Sequence, residues 1–183
     1  QAEAALRTAR ARLQHLVSAG PAIIYSLEVG GLGAVTFISD NVTAQLGYES
    51  RQFRDDPDFW PRHIHPEDAP RICGQLDLLF ERERYHREYR FQHQDGTFRW
   101  MRDEMLLVRD PAGKAVEIVG SWLDETELRQ TRDRLRESEE HYRRLIHTSP
   151  DGIALTDPAG CLTYASPRMY ELAGMPSDAP VLG

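Results

Sequence analysis

No stretch of this sequence approaches the roughly 18 consecutive apolar residues that crossing a bilayer requires, so no membrane span is expected within it. Its first dozen residues carry Glu3, Arg7, Arg10 and Arg12 and lack the apolar core of a signal peptide. The chain begins inside a helical pattern, as an excised piece of a longer protein would, and the parent could still be membrane-anchored. Cysteine is scarce: Cys73 and Cys161 stand far apart. That argues against a disulfide framework and suits a reducing, cytoplasmic setting. A basic excess is also missing. Net charge is −7, and the basic stretches at 82–90 and 129–136 alternate with acid. A nucleic-acid footprint needs a basic face, so that class is excluded. What is plentiful is charge, 28% of residues. A compact domain needs less, so long exposed helices are predicted.

The sequence repeats itself. Leu6, Ala9, Leu13 and Leu16 recur 129 positions later as Leu135, Ser138, Tyr142 and Leu145. Pro21 and Ile24 recur in the same way as Pro150 and Ile153. The offset then falls to 127, pairing Phe37 with Tyr164, Ser39 with Ser166, Val42 with Met169 and Gly47 with Gly174. A shorter second turn explains the change: Gly30-Gly31-Leu32-Gly33 is replaced by Asp157-Pro158-Ala159-Gly160. The repeating unit is a helix followed by a small domain. Its second copy covers about a third of the unit, with too few strands for a closed core. Residues 149–183 are therefore expected to be poorly ordered or packed on a partner.

Each copy is preceded by a helix with heptad spacing. Leu128, Leu135 and Tyr142 take one seam position, with Thr131, Ser138 and Leu145 at the other. In the first helix Leu6 and Leu13 pair with Ala2, Ala9 and Leu16. Small polar residues weaken the seam, which suits a parallel homodimer that is not locked rigidly. The alternative is a single helix packed on its own domain. Asp124 and Glu127 form a box-like start for the second helix, with Thr126 a competing cap. Ser149-Pro150 ends it.

Between the helices, 22–28 and 34–39 read as a hairpin. A short helix over 41–46 is stopped by Gly47, and 49–62 is irregular with short helical turns. Pro66 opens a predicted long helix to about Arg84. Three strands follow at 86–93, 97–108 and 115–123, joined by Asp95-Gly96 and Asp110-Pro111-Ala112-Gly113 turns. The class is α+β: a five-stranded antiparallel sheet with helices on one face. Such a sheet can enclose a pocket. Its candidate lining is Tyr25 and Phe37 on the hairpin, Cys73, Leu76 and Phe80 on the long helix, and Tyr89, Phe91, Trp100 and Ile118 on the late strands. The alternative is that these side chains simply fill a core.

The run His93-Gln94-Asp95-Gly96-Thr97-Phe98-Arg99-Trp100 resembles the motif on the late strands of one subgroup of the PAS family. So do the first hairpin with Leu46-Gly47-Tyr48, the helix opener His65-Pro66-Glu67-Asp68, and the exit Gly120-Ser121-Trp122-Leu123-Asp124-Glu125-Thr126-Glu127. The family usually has Ile or Val at Glu125. The resemblance covers about 16–127 fully and 142–183 as an opening. It implies a sensing pocket, a homodimer, and coupling in cis to an output domain such as a histidine kinase or a cyclic-di-GMP enzyme of GGDEF or EAL type.

Other chemistry finds no constellation. His63, His65, Glu67 and Asp68 are close in sequence but fall on different faces, and a metal needs three or four convergent ligands. Haem would need an axial ligand from the long helix, where Cys73 is the sole soft candidate; Cys73 reads instead as a small buried hydrophobe. No flavin-photochemistry cysteine motif is present. His141 lacks the acidic neighbour of a phosphoacceptor, and no phosphate loop or catalytic triad stands out. No cofactor is required, and no catalytic residue is assigned.

The organisation expected is a signalling helix over 1–19, a sensor domain over 20–124, a coiled-coil linker over 125–148, and the start of a second domain over 149–183. A small ligand or a cellular state would be relayed through Trp122, Asp124 and Thr126 into the linker helix. A ligand-free dimerisation module is the alternative, and a haem-based redox or gas sensor a further one.

Overall fold

The computed structural model describes residues 2–29, 34–74 and 77–175. Gly30 to Gly33 and Leu76 lie outside it, as do the side chains of Leu6 and Leu13. The chain divides into two compact units, 1–127 and 128–183.

The first unit opens with α1 (Ala2–Ser18) and the antiparallel hairpin β1 (Ile23–Glu28) and β2 (Val35–Ile38). Four short helices follow: α2 (Val42–Leu46), α3 (Ser50–Asp55), α4 (Phe59–His63) and α5 (Ala69–Cys73). Then come α6 (Asp77–Arg82) and three long strands, β3 (Arg84–Gln92), β4 (Phe98–Arg109) and β5 (Ala115–Asp124). All pairings are antiparallel, in the order β2-β1-β5-β4-β3. The first and last strands in sequence are therefore neighbours at the centre. Alternation fixes one buried face, with Met101, Asp103, Met105 and Leu107 inward on β4 and Arg87, Tyr89 and Phe91 inward on β3.

The core between sheet and helices is aromatic. Phe53 and Phe59 lie 4.7 Å apart, Tyr48 is 5.0 Å from Phe59, and Phe91 is 4.8 Å from Trp122. Each such pair adds about 0.5–1.5 kcal/mol beyond its burial. Gly47 ends α2 at φ 82, donating its N–H to the carbonyl of Thr43.

The long helix expected from Pro66 to Arg84 is not formed. Pro66 to Asp68 make a turn held by the N–H groups of Asp68 and Ala69, both donating to the carbonyl of His65. Helix then runs only to Cys73 and resumes at Asp77. Asp68 does not cap, because its carboxylate is committed to Arg90, whose Nε and Nη2 each donate over 3.0 Å. Gly74 at the end of α5 is a poor helix former and marks the break.

The β3–β4 turn carries the His-x-Asp-Gly sequence. Asp95 Oδ1 accepts the N–H of Thr97 at 2.8 Å and its hydroxyl at 2.6 Å, while Gly96 takes φ 87. Those two bonds from Thr97 lower the Asp95 pKa to about 2. A depressed acid stabilises the fold above its ordinary pKa and loses that contribution as pH falls through the folded value. The protection factors of the Gly96 and Thr97 amides, corrected for the slower intrinsic exchange in acid, are therefore expected to fall between about pH 4 and pH 2. Exchange in this turn that keeps its neutral-pH protection factors at pH 2 contradicts the assignment.

The second unit contains most of α7 (Thr126–Thr148), the hairpin β6 (Ala154–Thr156) and β7 (Leu162–Ala165), and α8 (Pro167–Ala173). The repeat is structural as well as sequential. Ser39 donates its N–H to the carbonyl of Ile24 at 2.8 Å, and its hydroxyl accepts the N–H of Ile24 at 2.8 Å. Ser166 and Ile153 make the same two bonds, at 2.8 and 3.0 Å. Leu155, Leu172 and Met175 of this unit stay exposed. Among the described residues no helix is long and apolar enough to cross a membrane.

Candidate functional site

Opposite charges face each other inside the first unit. Arg87 of β3 and Asp103 of β4 are direct cross-strand partners on the buried face. Arg87 Nε donates to Asp103 Oδ2 at 2.9 Å, and the two side chains are only 4% and 1% exposed. Arg87 Nη1 also donates to the carbonyl of Ile72 at 3.1 Å, and the guanidinium lies 4.8 Å over the ring of Trp60. Burial works against its charge, but Asp103 and the two nearby phenols prevail, and its pKa rises.

Two tyrosines complete the network. Tyr25 donates its hydroxyl to Asp103 Oδ1 at 2.5 Å, and Tyr89 donates to Oδ2 at 3.3 Å. Burial first, and the Asp103 charge second, hold both phenols well above their ordinary pKa. They remain neutral donors. Tyr25 sits on β1, two strands away from Asp103 on β4. It reaches across β5 because Gly120, its partner there, has no side chain. A Cβ at Gly120 would lie 2.2 Å from Tyr25 Cζ.

These groups border a cavity of about 200 Å³. Tyr25, Arg87 and Asp103 form its polar wall, and Leu27, Val35, Ile38, Phe53, Trp60 and Trp122 supply most of the apolar wall. Tyr89 accepts the indole N–H of Trp60 at 3.0 Å. Trp122 Nε1 is buried beside the Tyr89 hydroxyl, in a contact looser than ideal hydrogen-bond geometry that nonetheless works to lower that phenol's pKa against the effect of burial.

The expected lining is brought together only in part. Tyr25 and Cys73 line the cavity. Tyr89, Phe91 and Ile118 are core residues on the same face of the sheet. Phe37 is exposed, because alternation puts it on the opposite face of β2 from Ile38. Phe80 is also exposed, since α6 turns Leu79 inward instead. Trp100 lies on the outer face of β4 beside inward-facing Met101, with the Arg90 guanidinium 5.5 Å over its ring. Cys73, expected to be buried, is exposed where α5 ends. Leu76 lies outside the described residues. Sequence reasoning missed Arg87, Asp103 and Trp60. Period-2 alternation could have found the first two, because Arg87 stands two residues before Tyr89, and Asp103 two after Met101.

The cavity wall and the linker helix share one strand. Trp122 of β5 is in the wall, and Asp124 ends the strand. Asp124 Oδ1 accepts the N–H of Thr126 at 2.8 Å, an Asx-type turn rather than the expected box. The Thr126 hydroxyl, turned away from capping, accepts the N–H of Trp100 at 2.9 Å. Glu125 donates its N–H back to the carbonyl of Trp100 at 2.9 Å. Two bonds thus tie the start of α7 to β4, and the Asp124 bond ties it to β5. Along α7, Leu128, Leu135, Tyr142 and Leu145 are all more than half exposed, as is Leu16 of α1. Among the described residues no group of three or more His, Cys, Asp or Glu is arranged to hold a metal.

A helix-lidded antiparallel sheet with an interior cavity and a helix leaving its last strand is the architecture of a sensory domain. A family model described as the PAS fold matches residues 35–121, and one described as a PAS domain matches 140–181. The chain belongs to the PAS family, and its first unit contains a PAS sensory domain. It is 32% identical over 165 residues to the two-component sensor PprA of Pseudomonas aeruginosa, covering 87% of this chain and 17% of that protein. It is 26% identical over 173 residues to the sensor protein FixL of Bradyrhizobium diazoefficiens, covering 89% of this chain and 34% of that one. The chain therefore spans a minor part of both sensors. Among solved structures, a sensory box histidine kinase/response regulator from Burkholderia thailandensis is 31% identical with TM-score 0.56, over 73% of this chain and 99% of that one. The N-terminal domain of a diguanylate cyclase with PAS/PAC sensor from Marinobacter aquaeolei is 25% identical with TM-score 0.54, over 59% and 98%.

Proposed function

We propose that residues 20–124 bind a small molecule in the cavity and pass its presence through Trp122, Asp124 and Thr126 to the linker helix at 125–148. The observation that carries this reading is the shared strand: β5 supplies both the cavity wall at Trp122 and the bonded helix start at Asp124. The module has no catalytic role of its own. An output domain in cis, a histidine kinase or a cyclic-di-GMP enzyme, would read the helix, as the names of the relatives suggest. Residues 149–183 open a second PAS domain, and the setting is cytoplasmic.

Thr126→Val keeps the shape of the side chain but removes the acceptor for Trp100 N–H, a loss of about 1–3 kcal/mol for an unpaired buried donor. With Asp124→Ala, it is expected to leave the domain folded and to uncouple stimulus from output in the longer protein. Wild-type signalling in that double variant rejects the relay.

The helices serve as a homodimer seam through Leu6, Leu13, Leu16, Leu128, Leu135, Tyr142 and Leu145. The uncovered stripe on α7 supports this, because apolar residues seven apart gain burial only against another helix. Leu135→Asp is expected to turn a sedimenting dimer into a monomer. A wild-type chain that sediments as a monomer at high concentration removes the seam.

A further inference from the structure

Asn41 stands at the N-cap of α2, a place where asparagine is among the best capping residues, yet it makes no side-chain capping bond. Its buried side chain turns back instead to the segment that leaves α1. Nδ2 donates to the carbonyl of Gly20 at 2.9 Å and to that of Ala22 at 2.8 Å. One amide group thus grips the chain on both sides of Pro21, where α1 gives way to β1. Pro21 has no N–H with which to stiffen the link itself.

The other end of the Asn41 amide leads to the cavity. Oδ1 accepts the Ser39 hydroxyl at 2.5 Å, and that hydroxyl accepts the N–H of Ile24 at 2.8 Å. Ser39 directly follows Ile38, and Ile24 directly precedes Tyr25. Tyr25 and Ile38 are cross-strand partners, and both line the cavity. A shift of the hairpin at the cavity wall therefore reaches the end of α1 through one hydroxyl and one amide.

The second copy makes the same link with different chemistry. Arg168 stands two residues after Ser166, as Asn41 stands two after Ser39. Its Nε donates to the carbonyl of Pro150, the counterpart of Pro21, at 3.2 Å. There Ser166 caps α8 itself, accepting the N–H of Met169. What the two copies share at this position is the grip on the incoming chain, made once by an amide and once by a guanidinium.

Resting on the cavity as the sensing site but going beyond the relay into α7, we infer that Asn41 is the positioning residue of a second junction, which couples the cavity to α1. The domain then reads the helix that enters it as well as moving the helix that leaves it, because coupling between two sites acts in both directions. In a longer protein, a change imposed on α1 from upstream would alter what the cavity binds.

Two-dimensional NMR of backbone amides in the whole 183-residue chain tests this. Trp60→Phe perturbs the cavity wall from α4, and xenon under pressure perturbs the cavity in the unchanged chain. Either is expected to move the amide signals of Val17, Ser18 and Ala19 at the end of α1. Asn41→Asp keeps an acceptor for Ser39 but removes the donors to Gly20 and Ala22. In that background the same cavity change is expected to move the α1 signals at least about threefold less. The amides of Trp100, Glu125 and Thr126 should still respond in full, since their route runs through β5. A merely structural asparagine would alter these signals at rest, not the response of one end alone. Equal α1 responses in the two backgrounds overturn the assignment. So do α1 signals that stay still while the α7 junction moves, an outcome that leaves the sensing cavity intact. If neither end responds although the Tyr25 and Ile38 signals shift, the relay into α7 falls together with this inference. Should Asn41→Asp not fold, Asn41→Ser decides in its place, because serine can still cap α2 but is too short to reach both carbonyls.

Discussion

Replacing Asp103 with alanine is expected to destabilise the domain by about 3–5 kcal/mol, the range for removing one partner of a buried ion pair. The loss falls on three groups together. Arg87 would be left charged at 4% side-chain exposure, and the hydroxyls of Tyr25 and Tyr89 would lose their acceptor. Arg87 cannot turn out to solvent cheaply, because it also donates to the Ile72 carbonyl and packs over Trp60. Adding Arg87→Met to Asp103→Ala should therefore recover part of the loss, with a coupling of at least about 1 kcal/mol in a double-mutant cycle. Urea denaturation of the four proteins gives that number. Strictly additive losses would show that the pair does not act as a unit.

Gly120→Ala carries the second large effect. The new Cβ would lie 2.2 Å from Tyr25 Cζ, 2.4 Å from Tyr25 Oη and 2.6 Å from Cε1, all closer than real contacts allow. Either the Tyr25 ring leaves its place and abandons Asp103, or β1 separates from β5. Overpacking of this kind costs about 1–3 kcal/mol, and the lost hydrogen bond to a charged acceptor adds about 1.5–3. Shortening the obstacle with Tyr25→Ala should make Gly120→Ala nearly harmless in that background. If Gly120→Ala costs as much with Tyr25→Ala as without it, the clash is not the cause.

Both predictions depend on residues whose importance is only partly legible in sequence. Strand order and class were readable because turn chemistry punctuates them: Asp110-Pro111-Ala112-Gly113 and Asp157-Pro158-Ala159-Gly160 are identical sequences that form identical turns. In each, the glycine N–H donates to the aspartate carbonyl, and the alanine N–H donates to Oδ1 over 2.9 Å. The repeat was legible for the same reason, since Ser39 and Ser166 do local work that needs a hydroxyl. The cavity was less so. Apolar and aromatic character alone points to Phe37, Phe80 and Trp100, which face outward, and not to Arg87 and Asp103, which face inward. Alternation marks Arg87 and Asp103 as inward, but that the two charges match each other is legible only from the register of β3 against β4. The absence of helix at Pro66 to Asp68 is not legible locally, because Asp68, the apparent first-turn acid, is engaged by Arg90 of β3, a contact 22 residues away in sequence. Likewise, Thr126 competes with Asp124 as a local cap in the sequence, whereas its hydroxyl serves the backbone of Trp100, 26 residues earlier.

The central claim is that the state of the cavity reaches the first turn of α7 through β5. Amide hydrogen exchange on a Tyr25→Phe variant tests it most directly, because that change deletes one cavity hydroxyl and touches nothing at the junction. The amides of Trp100, Glu125 and Thr126 all donate at the junction. The account predicts that their exchange speeds up by about fivefold or more, as for about 1 kcal/mol of lost local stability, while Gly113 in the distant β4–β5 turn exchanges as in the wild type. Altered exchange around Asp103 with junction amides indistinguishable from wild type would contradict it.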